Sequence, residues 1–250
     1  MLRESYVVNL QKNKFMPEDI YGTALLDYQN NRHTEDLCTY SSIAGEDTMP
    51  LPYLFRSFEE MPLLEQKALK AVKGTILDIG VGAGSHSLYL QNQKKDITAI
   101  DISKGAIEVC TARGIEKAYT QDIWALKNQK FDTLLALMNG TGICGKLENL
   151  GPFLVQLKSL LQKNGQILMD SSDIIYMYEN ETGEHWIPSD IAYYGEVTFQ
   201  MGYKKNKSPK FDWLYVDFNT LQRCANFNGL QCELLIEGDH YDYLAKLTIL

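Results

Sequence analysis

The sequence predicts an α/β fold organised around a mainly parallel sheet, on the strength of three observations. From Thr75 onward, short apolar runs alternate with amphipathic stretches, which is the rhythm of β-α units. Glycines at alternate positions follow the first of these runs, where a strand must turn sharply into a helix. Two β-rich runs near the end, 231–237 and 243–249, are joined by so short a connection that they must pair antiparallel.

Taken in order, the first core strand is expected over 75–80, with a helix over 84–91 after the glycine turn. A second strand over 96–101 leads into a helix capped by Ser103, with Ala106, Ile107 and Cys110 on its inner face. Further strands are expected at 117–121, 131–137 and 165–170. Between the last two, Phe153, Leu154, Leu157, Leu160 and Leu161 recur at helical spacing, and Lys163, Asn164 and Gly165 read as the helix stop. Beyond Asp170 the rhythm changes. Two β-rich runs, 195–203 and 211–217, flank a polar turn and predict an antiparallel hairpin inserted at about 195–217. A helix near 220–228, closed by Gly229, precedes the final strand pair. Ahead of the core, residues 1–74 are expected to form a lid or cap rather than an independent domain. That segment reads as a helix after Pro17, an irregular polar stretch and a helix near 63–72.

At 250 residues and 45% hydrophobic content, the chain is long enough to bury a substantial core. Its formal charge of −8 repels phosphate backbones and anionic membrane surfaces, so neither nucleic acid nor membrane is an expected partner. Lys204, Lys205, Lys207 and Lys210 cluster, but in a solvated turn. The five cysteines are widely spaced with no Cys-x-x-Cys pair, so no metal is expected and the thiols read as reduced. The N-terminus lacks the apolar run of a secretory signal, no stretch reaches membrane-spanning length, and a cytoplasmic location is expected.

The chemistry is concentrated at Asp78, Gly80, Gly82 and Gly84. Glycine permits positive φ and close approach of a ligand to the backbone, while the following helix start offers free N–H groups. Asp78 presents a carboxylate either to a cationic amino group or to the N–H groups of the loop. Asp101 ends the next strand, where an acid accepts hydrogen bonds from both ribose hydroxyls or, alternatively, serves as a helix-entry carboxylate near Ser103.

On these residues the chain resembles the class I S-adenosylmethionine-dependent methyltransferases, and is most similar to small bacterial members carrying a generic methyltransferase-domain label. Motifs carry the likeness over 75–170, and element order carries it beyond. The resemblance implies a Rossmann-like domain over 75–250, with seven strands in a mainly parallel sheet, the last antiparallel, and helices on both faces. It implies S-adenosylmethionine as cofactor and S-adenosylhomocysteine as product. It assigns Asp101 to the ribose, Ile102 to the cofactor site, Asp122 to the adenine amino group, Ile123 to the adenine ring, and Met138 and Asn139 to the methionine part.

Catalysis then needs an acceptor held in line and water excluded; a base is needed only if the acceptor is protonated. His86, in the first turn of its helix, and Asn139 are the candidates, although His86 also reads as a packed or solvated histidine. Met138, Asn139 and Gly140 lack the prolines of amino-directed nucleic-acid methyltransferases. Ser171, Ser172, Asp173 and Tyr176 either line an acceptor pocket or cap a turn, and Tyr178, Trp186, Tyr193 and Tyr194 enclose the acceptor or pack a lid. Arg56 either pairs with the cofactor carboxylate or lies on the surface. The expected activity is methyl transfer to a small molecule by a monomer or homodimer. The alternatives are a non-catalytic cofactor- or partner-binding module and an NAD-dependent oxidoreductase, the latter disfavoured by the departure from Gly-x-Gly-x-x-Gly.

Overall fold

A computed structural model describes residues 19–250. The N-terminal stretch read for a signal peptide lies outside the described residues, and the helix expected after Pro17 is seen from Ile20 onward.

The central sheet has seven strands: β3 (Ile76–Ile79), β4 (Ile97–Asp101), β5 (Ala118–Thr120), β6 (Phe131–Ala136), β7 (Leu161–Ser172), β11 (Leu230–Glu237) and β12 (Asp242–Ile249). Their order is β11-β12-β7-β6-β3-β4-β5. The pairs from β7 through β5 are parallel, whereas β12 runs antiparallel to both of its neighbours. This is the Rossmann-like arrangement that the sequence predicts.

Alternation along the strands explains why both faces are covered. Leu77, Ile79, Leu134 and Ala136 enter one core with α6 (Leu150–Ser159) and α7 (Phe218–Phe227), while Ile76 and Leu135 enter another with α3 (Leu63–Ala71). The helices α4 (Ser85–Asn92) and α5 (Lys104–Ala112) complete the crossovers after β3 and β4. As expected, Ser103 caps α5 by accepting from the Ala106 N–H at 3.0 Å.

Three readings need correction. The polar stretch expected to be irregular contains a hairpin, β1 (Leu37–Ser41) and β2 (Gly45–Met49), followed by the short helix α2 (Leu51–Leu54). Of its strand residues only Leu37 is buried, so hydrophobic alternation could not reveal it. The inserted hairpin is present as β8 (Glu196–Tyr203) and β10 (Phe211–Leu214), with the two-residue β9 (Asn206–Lys207) at its turn, but it does not stand alone. β1 pairs with β8, giving a second sheet ordered β10-β8-β1-β2, with β9 also on β8. Finally, the helix expected to run to 163–165 ends at Ser159 and the strand is under way at Leu161, which pairs with Phe131. Asn164, at φ 64°, and the buried Gly165 form an irregularity within that strand.

One carboxylate fastens the N-terminal helix α1 (Ile20–Gln29) to the core. Asp19 Oδ1 accepts from the Gly22 N–H at 2.8 Å, and its Oδ2 accepts from the Ser103 hydroxyl at 2.8 Å and the Gly105 N–H at 3.0 Å. It thus caps α1 and α5 together. A Cβ on Gly105 would lie 2.6 Å from the Gly22 backbone, so only glycine lets the helices approach this closely. Asp19→Ala is expected to cost about 2 kcal/mol, because it strips acceptors from several donors. Urea unfolding checks this, and an unchanged midpoint would show that the carboxylate is not what docks α1.

Candidate functional site

The carboxyl ends of the parallel strands form one rim, and the glycine turn is its centre. Gly80, Gly82 and Gly84 have φ of 74°, 55° and 87°, values that side-chain-bearing residues rarely adopt. Asp101 holds the bend, its Oδ2 accepting from the Gly82 N–H and its Oδ1 from the Ser103 N–H, each at 2.9 Å. Burial pushes its pKa up against these hydrogen bonds. The helix-entry reading is therefore correct of the chain itself, and the remaining lone pairs of the carboxylate stay available for a ribose. Beside it, Ile102 is 76% exposed, an apolar face held out at the rim.

Asp78 bonds a hydroxyl of the following helix instead of the loop N–H groups. It is buried, its Oδ2 accepts from the Ser87 hydroxyl at 2.7 Å, and burial raises its pKa. That bond ties β3 to the first turn of α4. Asp122 is exposed on the adjacent strand end and accepts from the Trp124 N–H at 2.9 Å. Ile123 departs from its expected role, since its side chain is sealed in the main core. Ile102, by contrast, offers an exposed aliphatic face at this end.

At the opposite end of the glycine turn lies a buried group that sequence reasoning only half found. Arg56, expected on the surface or free for a ligand, donates through Nη2 to both oxygens of Glu65 at 2.5 Å and through Nη1 to the Tyr53 carbonyl at 2.6 Å. His86 meets the same carboxylate through Nε2 at 2.6 Å. Burial works to raise the Glu65 pKa, but His86 and Arg56 outweigh it and hold it below the usual range. The Arg56 Nε is buried and has no hydrogen-bond partner. Above the loop stands Tyr21 of α1, whose hydroxyl lies 2.7 Å from where a Gly82 Cβ would be. Neither Tyr21 nor Glu65 carries a motif signal, because each reaches the rim from a helix outside it.

At the end of β6, Met138 and Asn139 both take left-handed conformations, at φ 64° and 61°. Asp170 sustains this turn by accepting from the Met138 and Gly140 N–H groups, each at 3.0 Å. Burial pushes its pKa up to about 7. Met138 is left partly exposed at the rim. Asn139 is committed elsewhere: its Nδ2 donates to the Leu214 carbonyl at 3.1 Å and its Oδ1 accepts from the Ser171 hydroxyl at 2.8 Å. Ser171 is buried and also accepts from the Val216 N–H at 2.9 Å, so it joins the two sheets rather than lining a pocket. Asp173 accepts from the Ile175 N–H and the Tyr194 hydroxyl, which matches the turn-cap reading.

The second sheet roofs this rim. Trp213 of β10 packs so closely on Gly142 that a Cβ there would overlap the indole. Between the roof and the segment after β7 is a cleft of roughly 290 Å³ that includes Ser172 and Tyr176, so the structure brings those two pocket candidates together. Another depression, of roughly 340 Å³ around Lys94, Asp96 and Lys117, lies at the amino end of β4, away from the rim. Among the described residues, no group of three or more His, Cys, Asp and Glu is placed to hold a metal ion, and no helix is long and apolar enough to cross a membrane.

A family model described as "Methyltransferase domain" matches residues 70–216. The chain is similar to a crystal structure of a SAM-dependent methyltransferase from Bacteroides fragilis in complex with S-adenosyl-L-homocysteine. That likeness has 45% identity and a TM-score of 0.86, over 92% of this chain and 94% of that one. A Clostridium acetobutylicum S-adenosylmethionine-dependent methyltransferase (13% identity, TM-score 0.54, 76% and 93% coverage) shares the fold. So does a Pyrococcus horikoshii protein (16%, 0.57, 75% and 88%). No curated protein sequence matches the chain.

The buried Asp170 has a measurable consequence. Between the ordinary carboxyl value of 3.8 and about 7, the folded chain keeps a proton that the unfolded chain has released. Stability therefore falls through this window as pH rises. Urea unfolding at about pH 5 and about pH 7 is expected to show this decline in the wild type and a shallower one in Asp170→Asn. Equal slopes in the two proteins would refute the assignment.

Proposed function

The chain belongs to the class I S-adenosylmethionine-dependent methyltransferases, and on that premise we propose that it methylates a small-molecule acceptor lodged in the cleft beneath the roof. The observation that carries this reading is the convergence of an open glycine turn, Asp101, Ile102 and the unpartnered Arg56 Nε on one rim. The NAD-dependent reading falls with the family assignment.

The residues fit an adenosyl amino acid in three parts. Gly80, Gly82 and Gly84 leave room for close approach, with Asp101 to receive ribose hydroxyls and Ile102 and Asp122 to meet the adenine face and edge. Met138 would lie beside the methionine chain, and the Arg56 Nε and the Tyr21 hydroxyl would supply donors suited to its carboxylate. S-adenosylmethionine, when bound, supplies a methyl group already activated by its sulfonium. What remains for this chain is to orient the acceptor and exclude water, and the second sheet and the segment after β7 are placed to do both. His86, anchored by Glu65, is a positioning residue in this scheme, and Asn139 and Ser171 hold the roof in register. The cleft is sized for a metabolite rather than a nucleic acid, and five free thiols suit a reducing cytoplasm.

Calorimetric titration with S-adenosylhomocysteine and transfer of labelled methyl into a bacterial metabolite extract test the proposal together. Tight binding without labelled product would favour a non-catalytic module. Gly82→Val, which strains a positive φ and drives a Cβ toward Tyr21, and Asp101→Ala are each expected to weaken cofactor binding at least about tenfold. Unchanged affinity in both variants would show that the cofactor binds elsewhere.

A further inference from the structure

The cleft beneath the roof is not chemically neutral, and from its lining we infer that the acceptor bears an organic ammonium group on an apolar or aromatic body. This inference rests on the methyl-transfer reading above and concerns what that same site selects. Strand register decides which side chains face inward. Thr39 lies opposite Asp47 across β1 and β2, and Ser41 lies opposite Phe199 across β1 and β8, so these four share one face of the roof, and all four line the cleft. The other face carries Cys38, Tyr40 and Glu46, and the roof's Lys207 is held there, its ammonium 3.7 Å from the centre of the Tyr40 ring.

Asp47 is the one charged side chain among the described residues lining the cleft. No ion pair to it exists among the described residues, and its side chain accepts from the N–H of the adjacent Thr48 at 2.7 Å. Aromatic rings share the lining with it, Phe199 on the same face of the roof together with Tyr176 and Tyr215, and their π faces attract cations. An anionic acceptor would meet the Asp47 carboxylate with no lining cation to offset it, and a neutral apolar acceptor would desolvate Asp47 without replacing its water. An ammonium satisfies the carboxylate and the rings at once. The nitrogen held at Asp47 is protonated and has no lone pair, so it serves recognition while the methyl group is received by another atom of the acceptor.

Three matched probes test this in protein saturated with S-adenosylhomocysteine: phenethylamine, 2-phenylethanol and 3-phenylpropionate, each titrated calorimetrically. Phenethylamine is expected to bind about tenfold more tightly than the alcohol, with the acid weakest. Asp47→Asn is expected to erase the preference for the amine and Asp47→Glu to retain it, with S-adenosylhomocysteine affinity unchanged in both. Equal affinities for the three probes, no binding of phenethylamine, or an amine preference that survives Asp47→Asn would overturn the inference. Failure of S-adenosylhomocysteine itself to bind would instead strike the underlying methyl-transfer reading, so the two failures are distinguishable.

Discussion

Wherever a parallel strand ends and its chain turns back, backbone N–H groups lose their ladder partners and must find acceptors. In this protein aspartates at element ends supply them. Asp101 receives the Gly82 and Ser103 N–H groups, Asp170 those of Met138 and Gly140, and Asp19 those of Gly22 and Gly105. Each bond fixes a turn whose backbone is otherwise unfavourable or unsupported, and all three turns sit on the side of the molecule where the cofactor and acceptor are proposed to meet. The cost is desolvation of carboxyl groups, visible in the upward shifts of Asp101 and Asp170.

The roof follows from the same rim. Its strands come from segments more than a hundred residues apart, joined where β1 pairs with β8. Neither segment buries enough apolar surface to stand alone, since β2 contains no buried residue. Contacts with the rim supply what is missing: Trp213 against Gly142, and the Asn139–Ser171 network reaching the backbone of Leu214 and Val216. Sheet and roof therefore share one set of side chains, and groups that looked like chemistry in the sequence turn out to join the two layers. In return, the cleft acquires an inner wall with its own charge pattern, and acceptor choice becomes a property of the roof while cofactor binding remains a property of the rim.

How legible this was depended on the range of the interaction. Asp78 through Gly84 could be read because a turn between a strand and a helix is a local problem with few solutions, and the alternation in β3 and β6 because burial on two faces imposes it residue by residue. Arg56 stands out in the sequence but its partner does not, since Glu65 on α3 and His86 on α4 meet it only in the folded chain. Ile123 reads as a ligand contact in the sequence yet packs in the core, while Ile102, one strand away, is exposed at the rim.

The sequence by itself determined the order of strands and helices from β3 onward, the reversed final strand and the glycine bend with its acid one strand further on, because each is written in periodicity, turn chemistry or spacing along a continuous stretch. Tertiary structure alone decided that a polar N-terminal segment pairs with a distant hairpin, that Tyr21 lies over Gly82, and that Asp47 sits on the face of the roof that lines the cleft. Those outcomes depend on strand register and helix docking between remote parts of the chain. A shift of one residue in either would turn the same side chains toward solvent.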